Sequence, residues 1–365
     1  MTNNELFEAY LYNRILWWQD AFEEMTADAV SAVIDVLESA QKDFAKLLRQ
    51  EAEGLATVSE FKEEQIAAFN AWADEVTAGA RSNITGTISE SSYSAASASL
   101  AAYSAVLTLD GRAGFAKSVG MSQAQLKSWF ETTALGTGAL SDWVDWAFTK
   151  GIQDEILTTL RTSGALGEGT AKAVRRLLAK ANDSGFMLIK RDAITITRTF
   201  MQTANINAQE AVFEANKSLL KGYRRVETLD NKTCLQCALA DGAVYKLDEK
   251  RPSLPCHPRC RGVWVPVAKS WRDFGFNVDD LEEVARPWVF REDGNIDTGG
   301  RAIESYGKIS ENFSGWWQSL SSEDRARTAI SGTRQWLLET GKLKWDDLWD
   351  KETGRVKTLK QLGWR

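Results

Sequence analysis

Apolar residues recur at helical spacing through the first part of the chain. Between residues 5 and 50 they return at intervals of three, four and seven positions, which places them on one face of a helix. The positions are Val30, Val33, Ile34, Leu37, Phe44, Leu47 and Leu48. A second stripe at Phe61, Ile66, Phe69 and Trp72 predicts another helix over about residues 57 to 80.

The helical pattern continues towards residue 220 with a changing composition. The run SSYSAASASLAAYSAVLTL, residues 91 to 109, carries few charges and many serines. It is too polar to cross a bilayer, so it predicts a helix that packs closely against its neighbours. Residues 122 to 160 predict at least two further helices, and residues 188 to 220 predict one long helix. The glycines of GALGEGTAKAVRRLLAK lack the Gly-Lys-Ser/Thr of a phosphate-binding loop and predict a plain helix start.

Strand-like patterns are short and cluster near residue 240. They are GYRRVETLD, AVYKL and GVWVPV, which are rich in β-branched and aromatic residues. After Lys269 the pattern is helical again, with turns predicted at REDGNIDTGG and ETGKL. We therefore predict a mainly α fold in three consecutive regions. These are a helical region (1–185), a long helix leading into a small β-hairpin module (186–269) and a helical, tryptophan-rich region (270–365).

The composition is that of an ordinary soluble protein. The chain has 365 residues, of which 44% are hydrophobic and 26% charged, and it is long enough to bury a sizeable core. A net charge of −6 gives no overall case for nucleic-acid binding. The N-terminal run MTNNELFEAYLYNRILWWQD lacks the basic start, apolar stretch and cleavage site of a secretory signal. We expect a protein that is assembled in a reducing cytoplasm without a membrane partner.

All four cysteines and the only histidine lie within 27 positions. They stand as Cys234-x2-Cys237 and, nineteen residues later, His257-x2-Cys260, with Cys256 directly before His257. Two such pairs suit a tetrahedral zinc ion, because each pair forms a tight turn that directs two ligands at one metal. The intervening DGAVYKL can form a hairpin that brings the pairs together. We predict a structural Zn²⁺ bound by Cys234, Cys237, His257 and Cys260.

Other interpretations of the same residues stay open. The cysteines can form two disulfides or serve as unconnected structural residues, although a reducing compartment disfavours disulfides. Cys256 can also replace His257 as a ligand. Adjacent residues of an extended chain point to opposite sides, and only His257 keeps the two-residue spacing to Cys260, which favours the histidine.

No catalytic constellation is visible in the sequence. Four protein ligands close a zinc site, whereas a catalytic zinc keeps one position open. The ending PCHPRC is similar to that of zinc deaminases, but the upstream ligand and glutamate of that family have no free counterpart. Nuclease, Ser–His or Cys–His catalysis would need His257 a second time. We predict that the protein is not an enzyme. The alternative is a zinc-stabilised nucleic-acid-processing enzyme or toxin-like domain.

A longer pattern surrounds the cysteines. RDAITITRTF is followed by ETLDNKTCLQC, ADGAVY and LPCHPRCR, with Tyr223 as an aromatic residue before them. Taken together, the segment from Asp192 to Pro266 resembles the phage Mu F-like family of minor head, or head-morphogenesis, proteins. A weaker similarity continues through GWWQSLSSEDRARTAISGTRQWLLETGKLKWDDLWD, so the resemblance covers residues 186 to 365.

Two positions depart from the family pattern. Gly262 stands where the family often has a cysteine, and Cys256 stands where it usually has another residue. The resemblance implies a low-copy virion component that binds the portal protein or the major capsid protein. It also implies a role in head morphogenesis and in DNA packaging or ejection. On this basis we expect the protein in the interior of a phage head, after assembly in the host cytoplasm.

The charge and aromatic content of the C-terminal half are compatible with binding. Between residues 217 and 261, ten basic side chains stand against five acidic ones, a local charge of +5. Such a region suits an acidic portal surface or non-specific contact with packaged DNA, and it is equally typical of a solvated face around a zinc site. Nine of the fifteen tryptophans lie from Trp264 onward. We expect most of them in the core and the surplus at an interface.

Overall fold

The computed structural model describes most of the chain. The described residues are 3–53, 63–108, 119–122, 124–125, 128, 138–166, 168, 170–269, 285–288, 305–308, 312–350 and 355–364. Within them the fold is mainly helical, with short antiparallel sheets, which confirms the predicted fold class. No helix in this part of the chain has the length and apolar character needed to cross a bilayer.

The long helices precede residue 216. Helix α1 spans Asn3–Glu53 and α2 spans Glu63–Thr108, so the helices predicted near residues 57–80 and 91–109 are parts of one helix. Further along are α3 (Leu140–Phe148), α4 (Asp154–Ala165), α5 (Thr170–Leu177) and α6 (Phe186–Ala215). The π-helical segments Thr149–Gln153 and Leu178–Gly185 join α3 to α4 and α5 to α6.

The predicted apolar stripe of α1 is largely buried. Val33, Leu37 and Leu48 are at most 2% exposed, and Val30 and Phe44 are also buried. Leu47, at 36% exposure, lies on the edge of the stripe. Helical periodicity therefore identifies the core-facing side of this helix correctly.

The chain forms two compact units, each built from separate segments. One consists of Met1–Glu24, Ala96–Met121 and Gln202–Arg365, and the other of Met25–Ala95 and Ser122–Met201. The boundary at residues 201 and 202 lies within α6. The three regions predicted from the sequence, with boundaries at residues 185 and 269, are consecutive along the chain. That division stays a prediction.

The unit formed by Met25–Ala95 and Ser122–Met201 is mostly helical in its described part and has an aromatic core. The ring of Phe44 lies 5.9 Å from that of Trp72 and 5.7 Å from that of Phe186. The π-helical segments meet at Gly151 and Gly185. A Cβ atom on Gly185 would overlap the carbonyl oxygen of Gly151, so this backbone contact requires glycine.

In the unit that contains residues 202–365, a buried asparagine joins three helices. The Oδ1 atom of Asn205 accepts hydrogen bonds from Trp18 Nε1 at 3.1 Å, Ser99 Oγ at 2.9 Å and Tyr103 OH at 3.1 Å. Asn205 is fully buried. Because an unpaired polar group is costly in such a place, the network fixes the relative register of α1, α2 and α6 within this unit.

A three-stranded antiparallel sheet follows α6. The central strand β1 (Leu220–Val226) pairs with β2 (Val244–Lys246) and β3 (Val263–Ala268), as the three strand-like patterns predict. The helix predicted to reach residue 220 is too long by five residues. It ends at Ala215, and a 3₁₀ turn at Lys217–Leu219 leads into β1, because Leu220 and Tyr223 are buried in the sheet.

Helix α6 also holds β3 through two glutamines. Gln202 Nε2 donates to the carbonyl oxygen of Gly262 at 2.9 Å, and Gln209 Oε1 accepts from the backbone N–H of Trp264 at 3.0 Å. The two glutamines are seven residues apart and share one face of the helix. They anchor the chain directly after Cys260, the last predicted metal ligand.

The region after residue 269 contains helices and further short strands. The helices are α8 (Phe313–Ser319), α9 (Ser322–Ala326), α10 (Thr333–Glu339) and a 3₁₀ turn at Trp345–Leu348. The short helix α7 (Leu235–Ala240) lies earlier, between β1 and β2. Strands β4 (Ala285–Trp288) and β5 (Ser305–Lys308) pair, as do β6 (Trp349–Asp350) and β7 (Arg355–Val356). The purely helical expectation is therefore incomplete here.

The two turns predicted after residue 269 have different outcomes. The turn at ETGKL is confirmed, since α10 ends at Glu339 and Gly341 has a φ of 68°. The turn at REDGNIDTGG lies outside the described residues.

Candidate metal centre

The first cysteine pair is positioned by an aspartate turn. Asp230 Oδ1 accepts the backbone N–H groups of Lys232 at 2.9 Å and Thr233 at 2.8 Å. The turn ends at Cys234, the N-cap of α7, whose sulfur accepts the N–H of Cys237 at 3.4 Å. An aspartate that accepts the backbone N–H groups two and three residues later is typical of such a turn. It explains why both thiols of the pair face the same side.

The second pair lies on a turn just before β3. The N–H of Cys260 donates to the carbonyl oxygen of His257 at 3.1 Å, which closes the turn. Within the turn, Arg259 has a φ of 60°, the left-handed conformation that tight turns require. This brings His257 and Cys260 round to face the first pair.

Three sulfurs and one imidazole nitrogen converge. The sulfur–sulfur distances are 3.9 Å for Cys237 and Cys256, 4.0 Å for Cys237 and Cys260, and 3.7 Å for Cys256 and Cys260. His257 Nε2 lies 3.1 Å from the sulfur of Cys237, and the four donor atoms are all within 4.8 Å of one another. This is a cluster of ligand atoms that can hold a metal ion.

The spacing of the sulfurs fits a tetrahedral metal. With metal–sulfur bonds of about 2.3 Å, two corners of a tetrahedron are about 3.8 Å apart. The three measured separations, from 3.7 to 4.0 Å, bracket that edge. The cluster therefore has the size that a zinc-type site needs.

The histidine is oriented for metal binding. Its Nδ1 atom lies 2.8 Å from the carbonyl oxygen of Pro258. A carbonyl oxygen only accepts, so Nδ1 keeps its proton, and loss of the second proton to a metal would free the lone pair on Nε2. The Nε2 atom is the one that faces the sulfurs of Cys234 and Cys237.

The predicted ligands and the structural cluster share Cys237, His257 and Cys260. The cluster contains Cys256 as its fourth member, whereas Cys234 lies beside it, with its sulfur 3.1 Å from His257 Nε2. The sequence argument assumed an extended chain in which Cys256 and His257 face apart. The chain instead bends at residues 254, 255 and 257, so both side chains reach the cluster. All four cysteines are free thiols.

The contacts between these groups shift their acidities. Contacts with the thiols of Cys234 and Cys256 raise the pKa of His257 to about 11. Contact with Cys237 lowers the pKa of Cys234 to about 4, against the opposing effect of burial. The pKa of Cys256 is also lowered, whereas those of Cys237 and Cys260 are raised, so without a metal only part of the cluster is thiolate beside a cationic imidazole. A metal ion would compete with protons for these donors.

The sequence did not reveal a buried ion pair beside the thiols. Arg225 is on β1 and Glu227 directly follows the strand; they are 2% and 5% exposed, and they pair with each other. The Nη2 atom of the Arg225 guanidinium is within hydrogen-bonding range of three cysteine sulfurs. In the sequence, only the spacing of these two residues could have indicated the pair, because side chains two positions apart in an extended chain share one face.

Two aspartates connect the cluster to its surroundings. Arg261 donates to Asp230 Oδ2 at 2.7 Å and to Asp230 Oδ1 at 2.8 Å, which ties the second turn to the first. Asp241 Oδ1 accepts the backbone N–H of Glu227 at 2.7 Å, and its Oδ2 accepts that of Phe313 at 2.7 Å. Asp241 thus links β1 to the start of α8.

The cluster also shares a hydrophobic core with the C-terminal helices. That core contains Leu229, Ala238, Phe313, Trp316, Trp317 and Ile330. Leu229 and Ala238 come from the segment around the first cysteine pair, and the other four come from the region after residue 312. Among the late tryptophans whose burial the structure describes, Trp264, Trp316 and Trp317 are buried, and Trp336 is 46% exposed. The others, Trp345, Trp349 and Trp364, are partly buried, so among these residues the expectation of a core position holds for Trp264, Trp316 and Trp317.

Comparisons with known proteins give no relative. No protein-family model matches the chain, no curated protein matches it, and no solved structure matches it. The chemistry of the cluster and the sequence motif around it are therefore the basis for a functional proposal.

Proposed function

We propose that the protein holds one structural Zn²⁺ in this cluster and acts as a minor head protein of a tailed phage. The observation that carries the zinc proposal is the spacing of the three sulfurs beside an imidazole whose Nε2 atom faces them. Thiolates and imidazole are the ligands that zinc prefers in structural sites. Four protein donors would leave no open position for substrate.

The ligand set that the geometry favours is Cys237, Cys256, His257 and Cys260. Cys234 would then act beside the ligands, as the N-cap of α7 and a neighbour of His257. A metal at this point would join the two turns and β3. A module whose sheet has only three short strands would gain much of its local stability from that bond.

The role in a phage head is supported by the order of the motif segments around the cluster. The aspartates and glycine of that motif have physical tasks in this chain: Asp230 forms the turn before Cys234, and Asp241 and Gly242 follow α7. Gly242 has a φ of 81°, which glycine adopts without strain. The motif therefore corresponds to one folded module around the cluster, which supports the proposed role.

The partner in this proposal is the portal protein or the major capsid protein. Of the ten basic residues near the cluster, Arg225, Arg251 and Arg261 are paired with carboxylates inside the module. This weakens the case for a broad DNA-binding surface, since paired cations contribute less to an external field. We therefore rank an acidic protein surface ahead of packaged DNA as the contact.

Mass spectrometry of purified particles tests the proposed role. Heads and precursor particles from cells that produce the phage should contain peptides of this chain at low copy number relative to the major capsid protein. Crosslinking before digestion should join it to portal or capsid peptides. A chain found only in the soluble fraction, with neither particle form containing it, would refute the head assignment.

The alternative is a zinc-stabilised enzyme or toxin-like domain. One polar pocket of about 470 Å³ in the second unit is lined by Asn70, Asp74, Arg81, Asp145 and Gln153, among others. Its charged groups pair with one another, since Arg81 donates to Asp74 and lies 3.4 Å from Asp145. The neutral Gln153 also donates to Asp74. These contacts and the use of His257 in the cluster favour a structural role over this alternative.

A further inference from the structure

One buried arginine contacts three sulfurs of the cluster at once. The terminal Nη2 atom of Arg225 lies 3.6 Å from the sulfur of Cys237, 3.6 Å from that of Cys256 and 3.8 Å from that of Cys260. These are the same three sulfurs whose mutual distances fit a tetrahedral metal. A guanidinium has donors only, and the two N–H groups of Nη2 are shared among the three sulfurs, so positive charge lies against all of them.

The arginine is held in place by its neighbours. Its Nε atom donates to Glu227 Oε1 at 2.5 Å, and its guanidinium lies 5.6 Å from the centre of the Trp264 ring. Gly262 gives this pair its space, because a Cβ atom there would overlap the carboxylate of Glu227 and lie 2.9 Å from Arg225 Nε. The departure from the family pattern at Gly262 therefore has a physical explanation in this chain.

The buried positive charge of Arg225 needs compensating negative charge around it. Burying a guanidinium costs free energy unless opposite charges surround it, and Glu227 supplies one such charge. With a metal bound, the three sulfurs, which lie within 4.0 Å of one another, would be thiolates, and a neighbouring cation would offset their mutual repulsion. The arginine and the thiolates therefore stabilise each other, and N–H···S bonds to charged sulfur are of the stronger, charge-assisted kind.

We propose that Arg225 is a positioning residue of the metal centre. Its N–H groups hold the sulfurs of Cys237, Cys256 and Cys260 at metal-binding distance, and its charge offsets the thiolates that a divalent cation then binds. Glu227 orients the arginine, and Gly262 makes room for both. The inference rests on the proposed zinc centre and adds a residue outside its ligands that sets metal affinity and sulfur reactivity.

The test compares variants of the full-length protein. Arg225→Met removes the donors and keeps the length of the side chain, and Arg225→Lys keeps the charge without the planar fork. Arg224→Met is the matched control, because adjacent side chains of β1 point to opposite faces of the sheet. The measurements are zinc affinity by chelator competition, the sulfur-to-metal charge-transfer band of the Co²⁺ form, and the rate of cysteine alkylation by iodoacetamide.

We expect Arg225→Met to lower zinc affinity by about 10–100-fold, as loss of an outer hydrogen-bond partner of metal ligands typically does. Its Co²⁺ charge-transfer band should shift, and its cysteines should be alkylated faster, since the sulfurs lose their donors. Arg225→Lys should fall between Arg225→Met and the wild type. Arg224→Met should match the wild type in all three measurements. A shift of the band in a folded variant distinguishes positioning of the sulfurs from a general loss of stability.

Wild-type affinity and an unshifted band in both Arg225 variants would overturn the inference. If Arg225→Met does not fold, Arg225→Lys decides. If neither folds, NMR of the wild type loaded with ¹¹³Cd decides. Scalar coupling between an Arg225 side-chain proton and the metal supports the N–H···S bond, and its absence rejects the bond. A wild type that binds no zinc refutes the proposed function instead, so the two failures are distinguishable.

Discussion

At the scale of single residues, the cluster has five donors for a metal that takes four. Cys237, His257 and Cys260 are common to the sequence prediction and to the structural group, while Cys234 and Cys256 compete for the fourth place. The sulfur–sulfur distances favour Cys256, and so do the contacts of Arg225, which reach Cys256 and the two undisputed thiols. The choice between the two cysteines is a direct experimental question.

The first prediction compares the two competing cysteines. Cys256→Ser should lose most of its zinc, because serine is a poor ligand for this metal, whereas Cys234→Ser should keep close to one equivalent. Elemental analysis of protein purified under reducing conditions measures the metal content. Cys260→Ser is the control for full loss of the metal. If Cys234→Ser releases the metal and Cys256→Ser retains it, the ligand set predicted from the sequence spacing is correct instead.

A buried carboxylate gives a second prediction at this scale. Glu168 accepts from Ser163 Oγ at 3.0 Å and from Arg176 Nη2 at 2.5 Å, and so joins the end of α4 to α5. Contact with Arg176 lowers the pKa of Glu168 to about 2. Its stabilising effect is therefore present above the pKa of the unfolded chain, 4.5, and is lost as pH falls towards 2.

Glu168→Gln should lower the melting temperature at pH 7, and the difference from the wild type should shrink below pH 4.5 and vanish near pH 2. Thermal unfolding followed by circular dichroism at several pH values measures this. Glu75→Gln, at an exposed position of α2, is the matched control and should change little. A difference that is the same at pH 7 and pH 2.5 would contradict the assigned role of Glu168.

At the scale of elements, the metal module and the C-terminal helices form one folded region of their unit. Asp241 bonds to backbone groups of both, and Leu229 and Ala238 lie in the same core as Phe313 and Trp316. A substitution in the cysteine and histidine cluster should therefore affect the packing of α8. Helical periodicity alone does not predict this connection, because it joins residues more than 70 positions apart.

Removal of that aspartate tests the connection. Asp241→Ala leaves two buried N–H groups without their carboxylate, so it should destabilise the unit by about 3 kcal/mol, at about 1.5 kcal/mol for each bond to a charged group. Chemical denaturation followed by tryptophan fluorescence measures the change. Asp248→Ala, at an exposed site near β2, should stay within about 0.5 kcal/mol of the wild type. Equal stability of the two variants would show that Asp241 does not connect the elements.

At the scale of the whole molecule, attachment to a phage head would need an exposed surface that is separate from the core. Trp336 is 46% exposed, with the Lys342 ammonium 3.9 Å from its ring centre and the Trp364 ring 6.2 Å away. Deleting everything from Ser270 onward is a poor test, because it also removes the core partners of Leu229 and Ala238. A single substitution on the exposed surface is cleaner.

Trp336→Ala should fold and bind zinc, but enter heads at reduced copy number if the tryptophan-rich half makes the attachment, since exposed tryptophans often anchor interfaces. Quantitative mass spectrometry of particles measures copy number. Trp146→Ala, at a 47% exposed position in the other unit, is the control. If Trp146→Ala reduces incorporation into heads and Trp336→Ala does not, the attachment surface lies in the first half of the chain.

The last prediction concerns catalysis by the whole protein. Zinc-loaded protein should show no metal-dependent nuclease, deaminase or protease turnover, because the only imidazole belongs to the cluster and four donors close the site. Assays on DNA, RNA, nucleosides and casein measure this. Turnover that a carboxylate substitution abolishes while zinc content is unchanged would favour the enzyme alternative.

The sequence by itself determined the helices, the three strands around the cluster and the residue types that meet there. Those features depend on local periodicity and on spacing within one segment, as the buried stripe of α1 and the strands Leu220–Val226 and Val263–Ala268 illustrate. The helix end at Ala215 depended on burial of Leu220 in the sheet, which no local pattern contains.

The tertiary structure alone decided which side chains approach the sulfurs. Arg225 reaches Cys256 across 31 positions, and Gly262 leaves space for Glu227 across 35. Cys256 joined the cluster because bends next to it reversed the alternation of an extended chain. Such contacts arise from backbone paths that meet in space. Spacing along the chain therefore predicted three of the four clustered residues, and only the folded chain brought Cys256 to them.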